Sequence, residues 1–253
     1  MRNRMAGLML VLMLAGCDDP APPPPPPQVI APAAPVYAPL TVIPEVWKHV
    51  RPGCKGKDCP WIEVELQRVA DKGIDALAEV ELVNLVPLDD KPAHFDTIET
   101  LSAAFWPKTD KQWNISLQSK VLHQAGPILT LQLDNYTYTG GAHGISATRF
   151  LNLDRRQANK RLALADVLIP GKETAFKALA QSLHAAWLKE MEVADAEFSQ
   201  TWPFHETDNF ALTDKGIVLK YQNYELGPYA FGQPEFLLPK DKLAELVKPE
   251  YLR

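Results

Sequence analysis

A run of six prolines, Pro22 to Pro27, followed by Pro32, Pro35, Pro39 and Pro44, decides which part of this chain can fold. Such a sequence favours extended polyproline II, has no internal hydrogen bonds and cannot build a core. The stretch 17–44 therefore reads as a stiff tether, which would span roughly 80 Å at about 3.1 Å per residue if fully extended. Aromatic grooves can bind proline runs of this kind, but a spacer is the simpler reading. From Glu45 to Arg253 the composition becomes that of an ordinary globular domain. That length supports one good core, or a core divided into lobes near 45–135 and 136–253.

Ahead of the tether, Arg2 and Arg4 precede a twelve-residue apolar segment, Met5 to Gly16. A membrane span needs about 20 such residues, so residues 1–16 read as a signal peptide. Leu14-Ala15-Gly16-Cys17 resembles the lipobox of bacterial lipoproteins, in which cleavage precedes a cysteine acylated on its thiol. Two or more acyl chains hold stably where one chain holds only marginally, at about 0.8 kcal/mol per buried methylene. The expected location is the periplasm, with the chain anchored to a membrane through Cys17. Asp18 after the cysteine resembles an inner-membrane retention signal.

The full chain has 26 Lys+Arg and 31 Asp+Glu; removal of Arg2 and Arg4 leaves 24 against 31, a formal charge of −7. An acidic chain without a basic face is a poor nucleic-acid partner and is not held electrostatically to anionic lipid. With Cys17 acylated, the other two of the three cysteines, Cys54 and Cys59, remain as a pair. In an oxidising compartment the pair reads as a small-loop disulfide. The rival, half of a metal site, lacks a second cysteine pair or a His-x-x-x-His. No metal or cofactor is expected.

Strand periodicity appears at Ile62-Val64-Leu66, Trp113 to Leu122, Ile128 to Tyr138 and Thr148 to Leu153. Gln124-Ala125-Gly126-Pro127 is a hairpin signal between two of these runs. Ala93 to Phe105 and Glu173 to Met191 have helical spacing, the second through Phe176, Leu179, Leu183 and Trp187. Pro107 should end the first of these helices. Ile217 to Tyr221 and Glu235 to Leu238 look like late strands, and Lys240 to Val247 like a closing helix. The fold expected is α+β, a largely antiparallel sheet packed against a few helices. The six tryptophans are expected to fill its core.

Tyr136-Thr-Tyr-Thr-Gly-Gly-Ala-His-Gly144 is the distinctive internal motif. Its paired glycines permit positive φ and a tight turn. It resembles the Tyr-x-x-x-Gly-Gly-Ala-His-Gly signature of the extracellular domain of RsiV-type anti-sigma factors, a domain also found in PdaC-type deacetylases. Downstream, Phe210-Ala-Leu-Thr-Asp-Lys-Gly-Ile217 and Tyr221-Gln-Asn-Tyr-Glu-Leu-Gly-Pro-Tyr-Ala-Phe-Gly232 resemble the same family's later motif. Leu162-Ala-Leu-Ala-Asp166-Val-Leu resembles its link between strand and helix. The matches cover roughly residues 60 to 250, in the family's order.

The resemblance implies an extracellular module that in RsiV-type proteins senses and binds lysozyme. With Met1 to Arg4 ahead of the apolar run and the sequence read to Arg253, neither sigma inhibition nor deacetylation is expected. The function expected is a non-enzymatic binding module for an envelope protein or peptidoglycan-related ligand, lysozyme being one. Lysozymes are commonly basic, which suits an acidic partner. The surface expected to bind comprises Tyr138, Gly140, Gly141 and His143 with Tyr224, Tyr229 and Phe231. The alternatives are an envelope hydrolase using His143 with Asp134, Asp166 or Glu225, and a structural assembly factor. His143 lacks the companions of a known hydrolytic motif, so a histidine pinning a turn is the plainer reading. His184 reads as a residue at the boundary of its helix's apolar stripe.

Overall fold

The structure, a computed structural model, describes residues 36–88 and 94–252. The signal segment, Cys17, Asp18 and most of the proline tether lie outside the described residues, as does Ala93. Val36–Arg253 forms one compact unit.

The largest element is a six-stranded sheet in the order β1 (Ile43–Val50), β2 (Trp61–Arg68), β3 (Asn114–Ala125), β4 (Ile128–Tyr138), β5 (Ile145–Asp154) and β6 (Lys160–Arg161). Every neighbouring pair is antiparallel except β2 and β3. A parallel pair needs a long crossover, and here it carries helices α1 (Lys72–Val83) and α2 (Ile98–Phe105). Alternation along the strands sends Ile62, Val64, Ile115, Leu117, Leu131 and Leu133 to one face, all fully or nearly buried. Both helices cover that face. Asp71 caps α1 by accepting from the Gly73 and Ile74 N–H groups, and Ile74, Ala78 and Leu82 recur every fourth residue toward the sheet. α2 starts at Ile98, later than the spacing from Ala93 predicts, because Asn84 holds Phe95 extended. Its Nδ2 donates to the Phe95 carbonyl at 2.7 Å and its Oδ1 accepts from the Phe95 N–H at 3.0 Å. Thr97 then caps the helix, which ends before Pro107 as the sequence predicts.

A second, three-stranded antiparallel sheet follows: β7 (Phe210–Thr213), β8 (Gly216–Lys220) and β9 (Glu235–Pro239). Between the sheets run α3 (Leu164–Val167), α4 (Glu173–Glu190) and α5 (Ala196–Thr201), and α6 (Lys240–Leu243) follows β9. A second apolar cluster gathers Phe176 of α4, Phe210, Leu219, Tyr221, Phe236 and Leu243. The closing helix is shorter than its spacing predicts. After Leu243 the chain turns to pair with the segment behind α3, through Ile169 N–H to Leu246 O and Lys248 N–H to Val167 O. The mixed α+β architecture and the largely antiparallel pairing are those the periodicity predicts.

The tryptophans divide. Trp47, Trp106 and Trp113 pack against the first cluster and Trp187 against the second. Trp61 sits instead on the opposite face of the large sheet, where the Lys48 ammonium lies 3.5 Å over its ring.

Candidate functional site

Cys54 and Cys59 are joined, with Cα atoms 5.8 Å apart, in the β1–β2 connection. The predicted bridge therefore closes the hairpin loop, which is further pinned by Arg51 N–H to Pro60 O at 2.9 Å.

The glycine-rich motif is the turn between β4 and β5. Gly140 and Gly141 have φ of +98° and +87°, values that glycine adopts without a steric penalty. Tyr138 straddles the turn, its hydroxyl donating to the Gly141 carbonyl at 3.1 Å. His143 is exposed and stacks on Tyr229, with ring centroids 3.7 Å apart and planes 15° from parallel. Its Nδ1 lies 3.0 Å from the Gly144 carbonyl oxygen, which also accepts from the Tyr229 hydroxyl at 3.0 Å. The early and late motifs thus meet at Gly144. A Cβ there would lie 2.5 Å from Tyr136 Cζ, so the Tyr136 ring rests directly on this glycine. Tyr224, with its ring centroid 5.9 Å from that of Tyr229, extends the cluster outward. It is 48% exposed and has φ of +68°, an uncommon backbone state for a bulky residue.

Phe231 does not join this surface. Its ring stacks on Phe198 of α5 at 5.6 Å and meets Trp187 of α4 edge-on at 5.8 Å. The short turn Tyr229–Phe231 therefore turns one ring to His143 and the other to Phe198 and Trp187.

The carboxylates considered as partners for His143 are engaged elsewhere. Asp166 accepts from Lys160 Nζ at 2.7 Å and from the Ala163 N–H at 2.9 Å, capping α3. These bonds, that from Lys160 foremost, hold its carboxyl below the usual carboxylate range. Glu225 accepts from the Gln222 N–H. Asp134 accepts from Thr148 Oγ1 and Gln132 Nε2, each at 2.7 Å. Among the described residues, no group of three His, Cys, Asp or Glu side chains is placed to hold a metal ion.

Two cavities flank β5. One, of about 250 Å³, lies on the open face of the large sheet and is lined by Ser116, Gln118, Asp134, Tyr136, Ser146 and Gln233, among others. The other, of about 420 Å³, opens beside Asn84, Arg149, Arg161 and Asn209. Both arginines there are paired with Glu81, Arg161 at 2.6 Å, which ties β5 and β6 to α1. The first cavity adjoins the aromatic cluster through Tyr136. Sequence reasoning reached Asp134 as a carboxylate but missed the others. The signal present was the polar half of each strand's alternation, which ordinarily marks a solvated face.

An α+β domain of two largely antiparallel sheets, with a glycine-rich turn docked on a late tyrosine motif, defines the class. The chain belongs to the DUF3298 family. Residues 165–241 match that family's model, described as "Protein of unknown function (DUF3298)". A crystal structure of a DUF3298 family protein from Pseudomonas aeruginosa PAO1 is 33% identical, with a TM-score of 0.73 over 85% of this chain and 97% of the other. A DUF3298 member from Bacteroides fragilis NCTC 9343 shares the fold at 20% identity, with a TM-score of 0.61 over 83% of this chain and 93% of that one. The peptidoglycan-N-acetylmuramic acid deacetylase PdaC of Bacillus subtilis strain 168 is 26% identical over 156 residues, 57% of this chain and 31% of PdaC. The chain therefore spans about a third of that curated relative. Among the described residues, no helix is long and apolar enough to cross a membrane.

Proposed function

We propose that this is a lipid-anchored cell-envelope protein whose DUF3298 domain binds a partner without catalysing a reaction on it. The observation that supports this reading is the outward aromatic cluster of His143, Tyr229 and Tyr224, built on the glycine-rich turn. Exposed aromatic side chains of low conformational entropy are efficient contact residues, and the unusual backbone of Tyr224 is held in place to display one. Within the cluster His143 is stacked and bonded to a carbonyl, the setting of a positioned contact residue more than of a general base. The resemblance to RsiV-type extracellular domains suggests lysozyme as the partner, and the PdaC relationship suggests the envelope as the place. Cys17 would carry the acyl chains, the proline tether would lift the domain off the bilayer, and Asp18 favours the inner membrane.

Titration of a lysozyme into the full chain tests the partner. Binding at micromolar concentration, weakened about tenfold by Tyr224→Ala, is expected of an aromatic contact at the centre of such an interface. No binding at micromolar concentration would sink lysozyme as the partner. Incorporation of labelled palmitate, abolished in Cys17→Ala, tests the anchor separately.

A further inference from the structure

The two faces of the six-stranded sheet differ in a way the binding reading does not use. One is covered by α1 and α2. The other is covered where β7 packs, near Phe150 and Asn152, and along β5 where Gln222 and Gln233 reach Thr148 and Ser146. Its uncovered part carries cross-strand rows fixed by the register. Ser116, Tyr136 and Ser146 form one row, and Gln118, Asp134 and Thr148 the next. On β2 the rows continue into Glu63 and Glu65. A wall at one side comes from the second sheet and the segment before β9, where Lys220 pairs with Glu235 at 2.6 Å and Gln233 Nε2 donates to the Ser146 carbonyl at 3.4 Å.

The chemistry of this trough is specific. It offers hydroxyl, amide and carboxylate groups side by side, with a tyrosine ring, 39% exposed, at its edge. Asp134 is fixed by two donors; a carboxylate has about four acceptor sites, so it retains capacity toward the cavity. Lys220 pairs with Glu235 and Lys48 with Glu63, whereas Asp134 and Glu65 accept from uncharged side chains, so these two carboxylates set the charge beside the cavity. At about 250 Å³ the cavity is just below the roughly 300–1,000 Å³ typical of drug-sized ligands, so it suits one ring and not a large planar molecule.

Taken together, the geometry points to a saccharide site: we propose that this face binds one residue of a neutral glycan. Tyr136 stacks on the apolar face of the sugar ring, and Asp134 and Gln118 hydrogen-bond its hydroxyls. An anionic sugar is rejected by the carboxylates. This assignment rests on the reading of the domain as a binding module, but it uses residues apart from the His143–Tyr229–Tyr224 cluster, so the two separate experimentally.

The test is calorimetric titration of the full chain with an N-acetylglucosamine tetramer, a glucose tetramer and a galacturonate tetramer. Either neutral oligomer should bind with millimolar or better affinity, and the galacturonate should not. Tyr136→Leu and Asp134→Asn should each weaken binding about tenfold or more, the loss expected of a stacking contact or a hydrogen bond to a charged group. Gln118→Ala, which removes a partly exposed side chain, is the safeguard against variants that unfold, and it should weaken binding while leaving the melting temperature unchanged. His143→Ala should leave saccharide binding intact. Absence of binding by the unmodified protein, preference for galacturonate, or unchanged affinity in folded variants would each overturn the assignment. Lysozyme binding without saccharide binding would overturn it too, while leaving the partner reading standing.

Discussion

Asn152 on β5 binds Phe210 on β7 as another strand would. Its Nδ2 donates to the Phe210 carbonyl at 2.7 Å, and its Oδ1 accepts from the Leu212 N–H at 2.9 Å and from Thr130 Oγ1 at 3.0 Å. One side-chain amide thereby joins the two sheets. Asn209 repeats the device next to it, accepting from the Phe150 N–H at 2.8 Å and donating to the Thr148 carbonyl at 2.9 Å. Gln222 makes a third such link, to both backbone groups of Thr148. The open trough owes its side wall to these three amides.

Asn152→Ala should therefore destabilise the protein well beyond a surface change. It strands the Phe210 carbonyl and the Leu212 N–H in a buried setting, each worth about 1–3 kcal/mol. Urea denaturation should show a loss of about 3 kcal/mol, and Asn152→Asp should recover only part of it, because a carboxylate cannot donate to Phe210. A loss below 1 kcal/mol would mean that apolar contact, not the amide, joins the sheets.

Removing the disulfide should have a modest effect on stability and a local effect on the folded structure. The Cys54–Cys59 bridge spans a separation of five residues, and closing so short a loop restricts the unfolded chain by about 2 kcal/mol. A Cys54→Ser, Cys59→Ser double variant should lose about that much stability in thermal melts. Amide hydrogen exchange should rise most at the β1–β2 connection, and in β7, β8 and β9 by no more than the loss of global stability accounts for. A rise in β7, β8 and β9 beyond that would contradict the assignment of the bridge to one hairpin.

The fold was legible because most of its elements bury one side of a simple period. Ile62, Val64 and Leu66 alternate, and each is buried as alternation requires. What stayed hidden was decided by partners distant in sequence. Asn84 delays α2 by holding Phe95, and the segment at Val167 and Ile169 ends α6 early. α4 was placed correctly, but its most buried residues are Phe176, Ala180, His184 and Leu188, a stripe rotated from the one its large apolar residues suggest. The candidate site shows the same division. A glycine pair announces a turn, whereas the meeting of His143 with Tyr229 is a tertiary fact, and Phe231, close by in sequence, faces the other way.

His184 is the residue for which this matters most. The sequence places it at a boundary, yet it is 6% exposed, among Trp187, Phe204 and Phe236, with Nε2 unpartnered among the described residues. Burial first, and the charge of His205 second, push its pKa below the usual histidine value. The unfolded chain then binds a proton that the folded state refuses. Stability contributed by neutral His184 is fully present above the ordinary value near 6.5 and is lost as pH falls through the folded value. Stability measured from pH 7.5 to 5 should decline, and His184→Leu should flatten that decline. An identical pH profile in the variant would show that other groups set it.

Gly144 offers the sharpest separation of structure from binding. An added methyl there would lie 2.5 Å from Tyr136 Cζ and 2.7 Å from the Thr137 carbonyl oxygen. The tyrosine can swing aside, but the carbonyl belongs to a paired strand and cannot. Gly144→Ala should cost about 1–3 kcal/mol, as overpacking does, and should displace Tyr136 from its place beside the trough. Gly126 in the β3–β4 turn is the control: its φ is +54° but nothing lies within 4 Å of an added Cβ, so Gly126→Ala should cost about 1 kcal/mol from backbone strain alone. The measurements are melting temperature, and the chemical shifts of the Tyr136 ring followed by NMR. Gly144→Ala should lower the first more than Gly126→Ala does and should alone move the second. Equal melting temperatures with an unmoved Tyr136 ring would mean that the glycine and the tyrosine are not in contact, and the junction between the turn and the trough would have to be redrawn.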